Sequence, residues 1–407
     1  MANNTVYPYG TDGQLPASIG VINDLSTGGA DKALSAEMGK VLGQQQQDSL
    51  DVLDDLEITD GHENILARFR DGNIETKNFD SSRIPLTSVP DYWRDYLDTK
   101  LASLRSDYLD LERYGVAFIF VTDTHWEDNE KKSPAVIKYI QDKAGIEMCV
   151  FGGDVVTDHG TRVVKLEEIR DFADAMDATK AIFLVGNHDY NTSDQPSASW
   201  DANKISPGEF YRLCNVPEEN VVHYDGTEVE NKYDEYYGYL DNESQKVRYI
   251  FLDSGAVHIP NWADTNLRIS DAQVDWMKAR ITELPTGWGV ILFTHIFFQN
   301  YSGTVHGIGT QIETALDSIY DTANAKIICV VCGHVHASQS KVSAKGYPII
   351  ATTTDSAGQT NHEGLTYVPG TDTEQAFDIF FVNTLDATIE VVRIGAGDTD
   401  EDRSFTF

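Results

Sequence analysis

Five apolar runs in this chain each end in a small cluster of Asp, Asn and His, and this repeated ending limits the possible folds more than any other feature. The runs are Val116–Val121, Met148–Phe151, Ala181–Val185, Val290–Phe293 and Ile327–Val331. The endings are Asp123 with His125, Gly153-Asp154, Gly186-Asn187-His188-Asp189, His295, and Gly333-His334 with His336. Short continuous apolar runs of this kind read as strands buried on both faces. Open α/β sheets place their chemistry in the crevice beyond the carboxyl ends of such strands. Metal-type ligands recurring there in order predict a metal site.

The ligand types narrow the ion. Asp123 and His125 are two apart and share one side if the chain stays extended. Asp154 follows two glycines, which let backbone approach a site closely, and its carboxylate has two oxygens with which to bridge. Asn187 offers a neutral amide oxygen. His334 and His336 flank Val335 and can share a site. Mixed imidazole and carboxylate ligation suits Mn, Fe, Zn or Ni rather than Ca or Mg. Asp123, His125, Asp154, Asn187, His295, His334 and His336 exceed what one tetrahedral ion needs. They are a natural supply for two ions about 3.5–4 Å apart, the geometry that clamps attacking and leaving oxygens in phosphoryl displacement.

The ordered set Asp-x-His, Gly-Asp, Gly-Asn-His-Asp, His and Gly-His-x-His resembles the calcineurin-like metallophosphoesterases over residues 114–395. The resemblance implies a four-layer α/β/β/α sandwich of two mixed sheets. It implies hydrolysis of a phosphomonoester or phosphodiester by in-line attack of a metal-bridging hydroxide. By position it assigns Asp123, His125 and His336 to one metal and Asn187, His295 and His334 to the other, with Asp154 bridging. His188 becomes the non-ligand histidine that stabilises the transition state or protonates the leaving oxygen. Asp189 is expected to orient His188. His159, His306, Trp126 and Asn129 are candidates for substrate contact. His223, His258 and His362 read as surface or structural, and Asp253 as a structural hydrogen-bonding residue.

Around this core the chain divides by composition. Residues 1–30 form an extended arm and 31–58 a broken amphipathic helix. In 59–80, Asp71-Gly72 between alternating runs predicts a hairpin. In 81–113, Trp93, Leu97, Leu101, Leu104, Tyr108 and Leu111 form one apolar helix stripe, with Pro90 in the first turn. The catalytic domain is expected over 114–397, with an aromatic and acidic insertion or lid at 200–245, and 398–407 reads as a tail. Residues Pro16–Leu42 and the hairpin resemble front segments of bacteriophage tail, fibre and appendage proteins. That likeness implies a homotrimer attached to other virion proteins through residues 1–80, made in the host cytoplasm. The alternatives are a structural or receptor-binding virion protein that retains the fold, or a bacterial cytoplasmic enzyme with an oligomerising leader.

Charge and cysteine usage exclude other classes. With 65 acidic against 31 basic residues the formal charge is −34. Such a surface repels a nucleic-acid backbone, so no nucleic acid is expected on a basic face. A phosphorylated small molecule, lipid or glycan remains compatible, because bound cations dominate the local field. Cys329 and Cys332 have redox-motif spacing, but residues three apart in a strand point to opposite faces. The start shows no basic region followed by an apolar one, so no secretory signal is read. No run is long enough to span a bilayer.

Overall fold

Alternation along β4 (Val116–Val121) sets the layering of the molecule. Val116, Phe118 and Phe120 enter one apolar cluster, while Ile119 and Val121 enter another on the opposite face. Both faces of the strand are therefore covered, as its unbroken apolar text requires. The computed structural model describes residues 57–59, 65–70, 73–76, 89–107, 115–129, 131–157, 160–191, 205, 207–214, 235–255, 268–356, 358, 362–398 and 403–407. The chain separates into two units, residues 1–80 and 81–407.

In the first unit, β1 (Glu57–Thr59), β2 (Ile65–Arg70) and β3 (Asn73–Thr76) form an antiparallel sheet. Arg70 pairs with Asn73 across Asp71-Gly72, the predicted hairpin. Glu57 and Ile58, assigned to the helical segment from sequence, belong instead to β1. The arm and most of that helical segment lie outside the described residues.

The second unit is built on two six-stranded mixed sheets. The first runs β15 (Arg403–Thr406), β14 (Thr388–Gly395), β13 (Ala376–Asn383), β4, β5 (Met148–Phe151), β6 (Ile182–Phe183). The second runs β11 (Gln339–Val342), β12 (Pro348–Ala351), β10 (Lys326–Cys332), β9 (Gly289–Phe293), β8 (Val247–Phe251), β7 (Gly238–Asn242). β4, β5 and β6 are parallel, as are β8, β9, β10 and β12, so the five ligand-bearing strand ends fall on the carboxyl sides of two parallel blocks.

The sheets pack face to face through an aromatic and aliphatic core that includes Phe118, Phe120, Phe251, Phe293 and Phe380. Between the sheets Phe293 meets Phe118 edge-on at 5.3 Å and stacks on Phe120 at 6.0 Å. Each such ring, fully buried, contributes roughly 1.5–3 kcal/mol. Outside the first sheet lie α1 (Asp91–Asp107), α2 (Ser133–Ala144) and α3 (Arg162–Met176), through Trp93, Ile140 and Phe172 among others. Outside the second lie α5 (Asp271–Thr282) and α6 (Gly307–Tyr320), through Met277 and Leu316; the short α4 spans Pro207–Leu213. The result is the expected α/β/β/α sandwich. Cys329 faces the inter-sheet core and Cys332 the helix side, so the two thiols point apart as strand geometry requires.

Three sequence expectations are corrected. Pro90 precedes α1 rather than lying in its first turn, and its carbonyl accepts the Arg94 N–H at 3.0 Å. The 200–245 segment is not only an insertion, because Gly238–Asn242 forms edge strand β7 of the second sheet. The 398–407 tail contains β15, whose Arg403 reaches the buried Asp378 carboxylate at 2.8 Å, beside Arg393 at 2.6 Å. A buried carboxylate needs such partners; the two guanidinium groups outweigh burial and hold Asp378 below its ordinary range. Among the described residues, no helix is long and apolar enough to cross a membrane.

Candidate metal centre

The strand ends converge on two ligand groups that share one carboxylate. The first comprises Asp123, His125, Asp154 and His336; the second comprises Asp154, His295 and His334. In the first, His336 Nε2 lies 3.2 Å from His125 Nε2 and 3.4 Å from Asp123 Oδ1. In the second, His295 Nε2 lies 3.1 Å from Asp154 Oδ2 and 3.2 Å from Asn187 Oδ1. Asn187 therefore joins the second group. His334 and His336, whose spacing allowed one shared site, divide between the two groups.

The backbone that delivers these ligands is not extended. Asp123, His125, Asp154, His334 and His336 all adopt left-handed conformations, with φ of 54°, 41°, 58°, 75° and 49°. The expectation that Asp123 and His125 share a side along an extended strand is thus corrected: β4 has ended, and a turn presents them. Hydrogen bonds fix that turn. Asp123 N and His125 N donate to the carbonyls of Gly153 and Asp154, and Thr354 Oγ1 donates to the Asp123 carbonyl.

The polar atoms aimed inward fit cations. Asp123 Oδ1 and Asp154 Oδ2 are buried and face imidazole nitrogens, His336 at 3.4 Å and His295 at 3.1 Å, whereas the other oxygen of each accepts backbone or hydroxyl donors. A buried anionic oxygen is costly unless a positive partner meets it, here a protonated imidazole or, in its place, a cation. Two imidazole nitrogens 3.2 Å apart likewise need either a shared proton or a cation between them. Burial pushes His125 and His334 down to about 3, so both are neutral with a lone pair to offer. Burial disfavours charge on His295, but Asp154 outweighs it and lifts the imidazole to about 9. A cation taking that position displaces the proton. The Gly152 carbonyl lies 2.7 Å from His295 Nδ1, which orients the ring and leaves Nε2 for the ligand group. Burial alone would raise Asp154, yet His295 and His188 hold it well below its ordinary range. The two groups together form a site for two metal ions.

His188 belongs to neither group. Its ring packs edge-on to His125 at 5.3 Å, Nε2 lies 3.8 Å from Asp154 Oδ2, and the side chain is 27% exposed where Asp154 is 1%. It stands at the partly exposed side of the site. Asp189 does not orient it. The Asp189 carboxylate accepts four backbone N–H groups instead, from Gly186 and Asp154 on Oδ2 at 2.7 and 3.0 Å, and from Val155 and Val156 on Oδ1 at 2.6 and 3.3 Å. It therefore ties the loop after β6 to the loop after β5. Burial, with Asp154 beside it, raises Asp189 to about 7.

The substrate-contact candidates fare differently. Trp126 is buried against Phe172, with Nε1 donating to Asp171 at 2.6 Å. Asn129 donates to the Thr124 carbonyl and accepts from Gln375. Both brace the loop after β4. His306 lies not on an open loop but at the N-cap of α6, where Nδ1 accepts the Ile308 N–H at 3.2 Å. His159, His223 and His258 lie outside the described residues. Asp253 has the structural role expected, accepting from Tyr190 Oη and Tyr236 N at 2.9 Å each.

Sequence reasoning missed Asp355. It is buried behind the first ligand group and accepts from Ser133, Asn129 and Gln375, while its own N–H donates to the Thr122 carbonyl. Burial pushes it up to about 8. The only signal was the polar run Thr352-Thr-Thr-Asp-Ser356 directly after an apolar strand.

The calcineurin-like phosphoesterase family model matches residues 116–338, more than half of the chain. Among solved structures, a dimetal phosphatase from Danio rerio superposes with a TM-score of 0.49 at 14% identity, covering 72% of this chain and 99% of that one. A purple acid phosphatase from yellow lupin gives 0.41 at 11% identity, covering 72% and 53%. No curated protein matches the sequence.

Proposed function

The chain belongs to the calcineurin-like phosphoesterase family, and from that premise we propose that it hydrolyses phosphate esters at a centre of two transition-metal ions. Asp123, His125 and His336 would hold one ion, and Asn187, His295 and His334 the other, with Asp154 available to both. The observation that carries this reading is the pair of ligand groups meeting at one buried carboxylate. When bound, the two ions supply Lewis acidity and bring a water into the neutral pKa range. The chain's own residues do the rest. The left-handed turns at Asp123 and Asp154 aim both carboxylates inward. Asp189 fixes the distance between the Asp154 and Gly186 loops. His188, partly open to solvent beside Asp154, gives a proton to the departing oxygen.

The test is a screen of the Mn-, Fe-, Zn- and Ni-loaded protein on aryl phosphate mono- and diesters, together with His188→Ala. Hydrolysis is expected to need metal, and His188→Ala to lower kcat by about 10²–10⁴ while metal content stays unchanged. Metal-loaded protein that cleaves neither ester class counts against the reading.

We propose further that residues 1–80 attach the enzyme to a virion as a trimer. The support is the likeness of Pro16–Leu42 to phage appendage proteins and the small sheet β1–β3. A three-stranded sheet needs a hydrophobic face that is covered, and neighbouring copies would supply that cover. Loss of particle association on removal of these residues tests it.

A further inference from the structure

Beyond the ligand groups, a row of rings leads outward from the metal centre. His362 N donates to the His336 carbonyl at 3.2 Å, and the two imidazoles lie 6.3 Å apart at 29°. Tyr301 then stacks on His362 at 4.7 Å and 14°. Tyr301 is 60% exposed, one of few large hydrophobic side chains so open among the described residues.

Its position is fixed rather than loose. Tyr301 sits at the tip of a small hairpin closed by a Phe298–Val305 bridge and by Gln299 N donating to the Thr304 carbonyl at 2.7 Å. The Asn300 side chain accepts from Ser302 N, Ser302 Oγ and Thr304 N. Gln339 Nε2 holds the Asn300 carbonyl from β11 at 3.0 Å. A tip tied this way on a strand edge, with an aromatic ring turned to solvent and packed on a ring anchored to a ligand's backbone, is pre-organised. Pre-organised exposed aromatics bind flat rings at low entropic cost.

We propose that Tyr301, backed by His362, is a docking face for a flat aromatic ring carried by the phosphoester substrate. This rests on the phosphoesterase reading and adds to it a substrate class: esters whose organic group bears such a ring, rather than purely aliphatic ones. Tyr301 is then a specificity-determining residue at the rim, with no part in the chemical step.

The test is calorimetric binding of three non-hydrolysable phosphonates to the Mn-loaded full chain: 8-phenyloctyl-, 8-cyclohexyloctyl- and octylphosphonate, whose chains are long enough to cross the 6.3 Å and 4.7 Å ring spacings. The phenyl compound is expected to bind about threefold to tenfold more tightly than the cyclohexyl one, the range of one aromatic pair. Tyr301→Phe is expected to keep that ratio and Tyr301→Leu to bring it close to one. Equal binding of the phenyl and cyclohexyl compounds, or a ratio unchanged in Tyr301→Leu, overturns the docking face alone. Binding of Mn without binding of any phosphonate overturns the phosphoesterase reading, and the docking face with it.

Discussion

Gly186→Ala is the most exacting test of the shared-carboxylate geometry. A Cβ built at Gly186 lies 2.1 Å from Asp154 Oδ1 and 2.2 Å from Asp154 N, where ordinary contact begins at 3.4 Å. The carboxylate oxygen can swing away, at the expense of its place in the ligand group. The backbone nitrogen cannot, because Asp189 Oδ2 holds both Asp154 N and Gly186 N, at 3.0 and 2.7 Å. The two loops must therefore part by roughly 1 Å, the difference between the clash and ordinary contact. Metal–ligand bonds tolerate about 0.2 Å, so both ions lose a properly placed Asp154. The expected outcome is fewer than two ions per chain by elemental analysis, and kcat/KM on an aryl phosphate ester down by about 10²-fold, the scale of a 1 Å misplacement. The melting temperature should fall as well, since overpacking of this kind costs about 1–3 kcal/mol. A Gly186→Ala protein that retains two ions and a rate within about twofold of wild type would refute the argument that the two loops set the site.

Two further outcomes are expected. Asp355 has a folded pKa of about 8 against an ordinary 3.8, so the folded state holds its proton where the unfolded chain has lost it; its contribution to stability is complete below the unfolded value and lost as pH rises toward 8. Asp355→Asn should therefore lose a few kcal/mol less stability than wild type between pH 5 and pH 9 by denaturant melts, and equal losses would count against the assignment. Removal of residues 1–80 should leave metal content and hydrolysis in place and turn a trimer into a monomer by sedimentation; an unchanged oligomeric state would contradict the role given to that segment.

The central strands were legible because each is buried on both faces, and nothing but apolar residues survives there. Val116–Val121 and Met148–Phe151 match β4 and β5 residue for residue. The edge strands were not, for the opposite reason. β11 and β15 each have one partner strand and alternate half-buried with exposed residues, so Gln339-Ser-Lys-Val342 carries no strand signal and Arg403-Ser-Phe-Thr406 reads as part of the tail. Helix α6 went unread because its cap, His306 accepting through Nδ1, is outside the usual Ser, Thr, Asp and Asn signal, whereas α5 carries that signal at Ser270 and was simply missed. The ligand types were legible from the strand ends. Their division between two groups followed from the family resemblance and agrees with the structure, but spacing alone left His334 and His336 free to share one site, because it cannot show that they straddle a left-handed backbone.

That backbone bears on why the site binds metal at all. A non-glycine residue held in the left-handed region costs of order 1 kcal/mol, and such residues persist only where the surroundings over-determine them. Five ligands share this conformation. The determining contacts are visible: backbone bonds between the loops after β4 and β5, Thr354 on the Asp123 carbonyl, and Asp189 on four amides. None of these contacts reaches Asp123 Oδ1 or Asp154 Oδ2, which the same frame leaves buried and facing the imidazoles of His336 and His295. The fold thus spends its polar bonds on holding carboxylates and imidazoles at distances that are unfavourable among themselves. Strain and buried charge concentrated in the same residues have a common remedy in cations, and a frame this heavily braced would be superfluous if those residues served only to pack the loops.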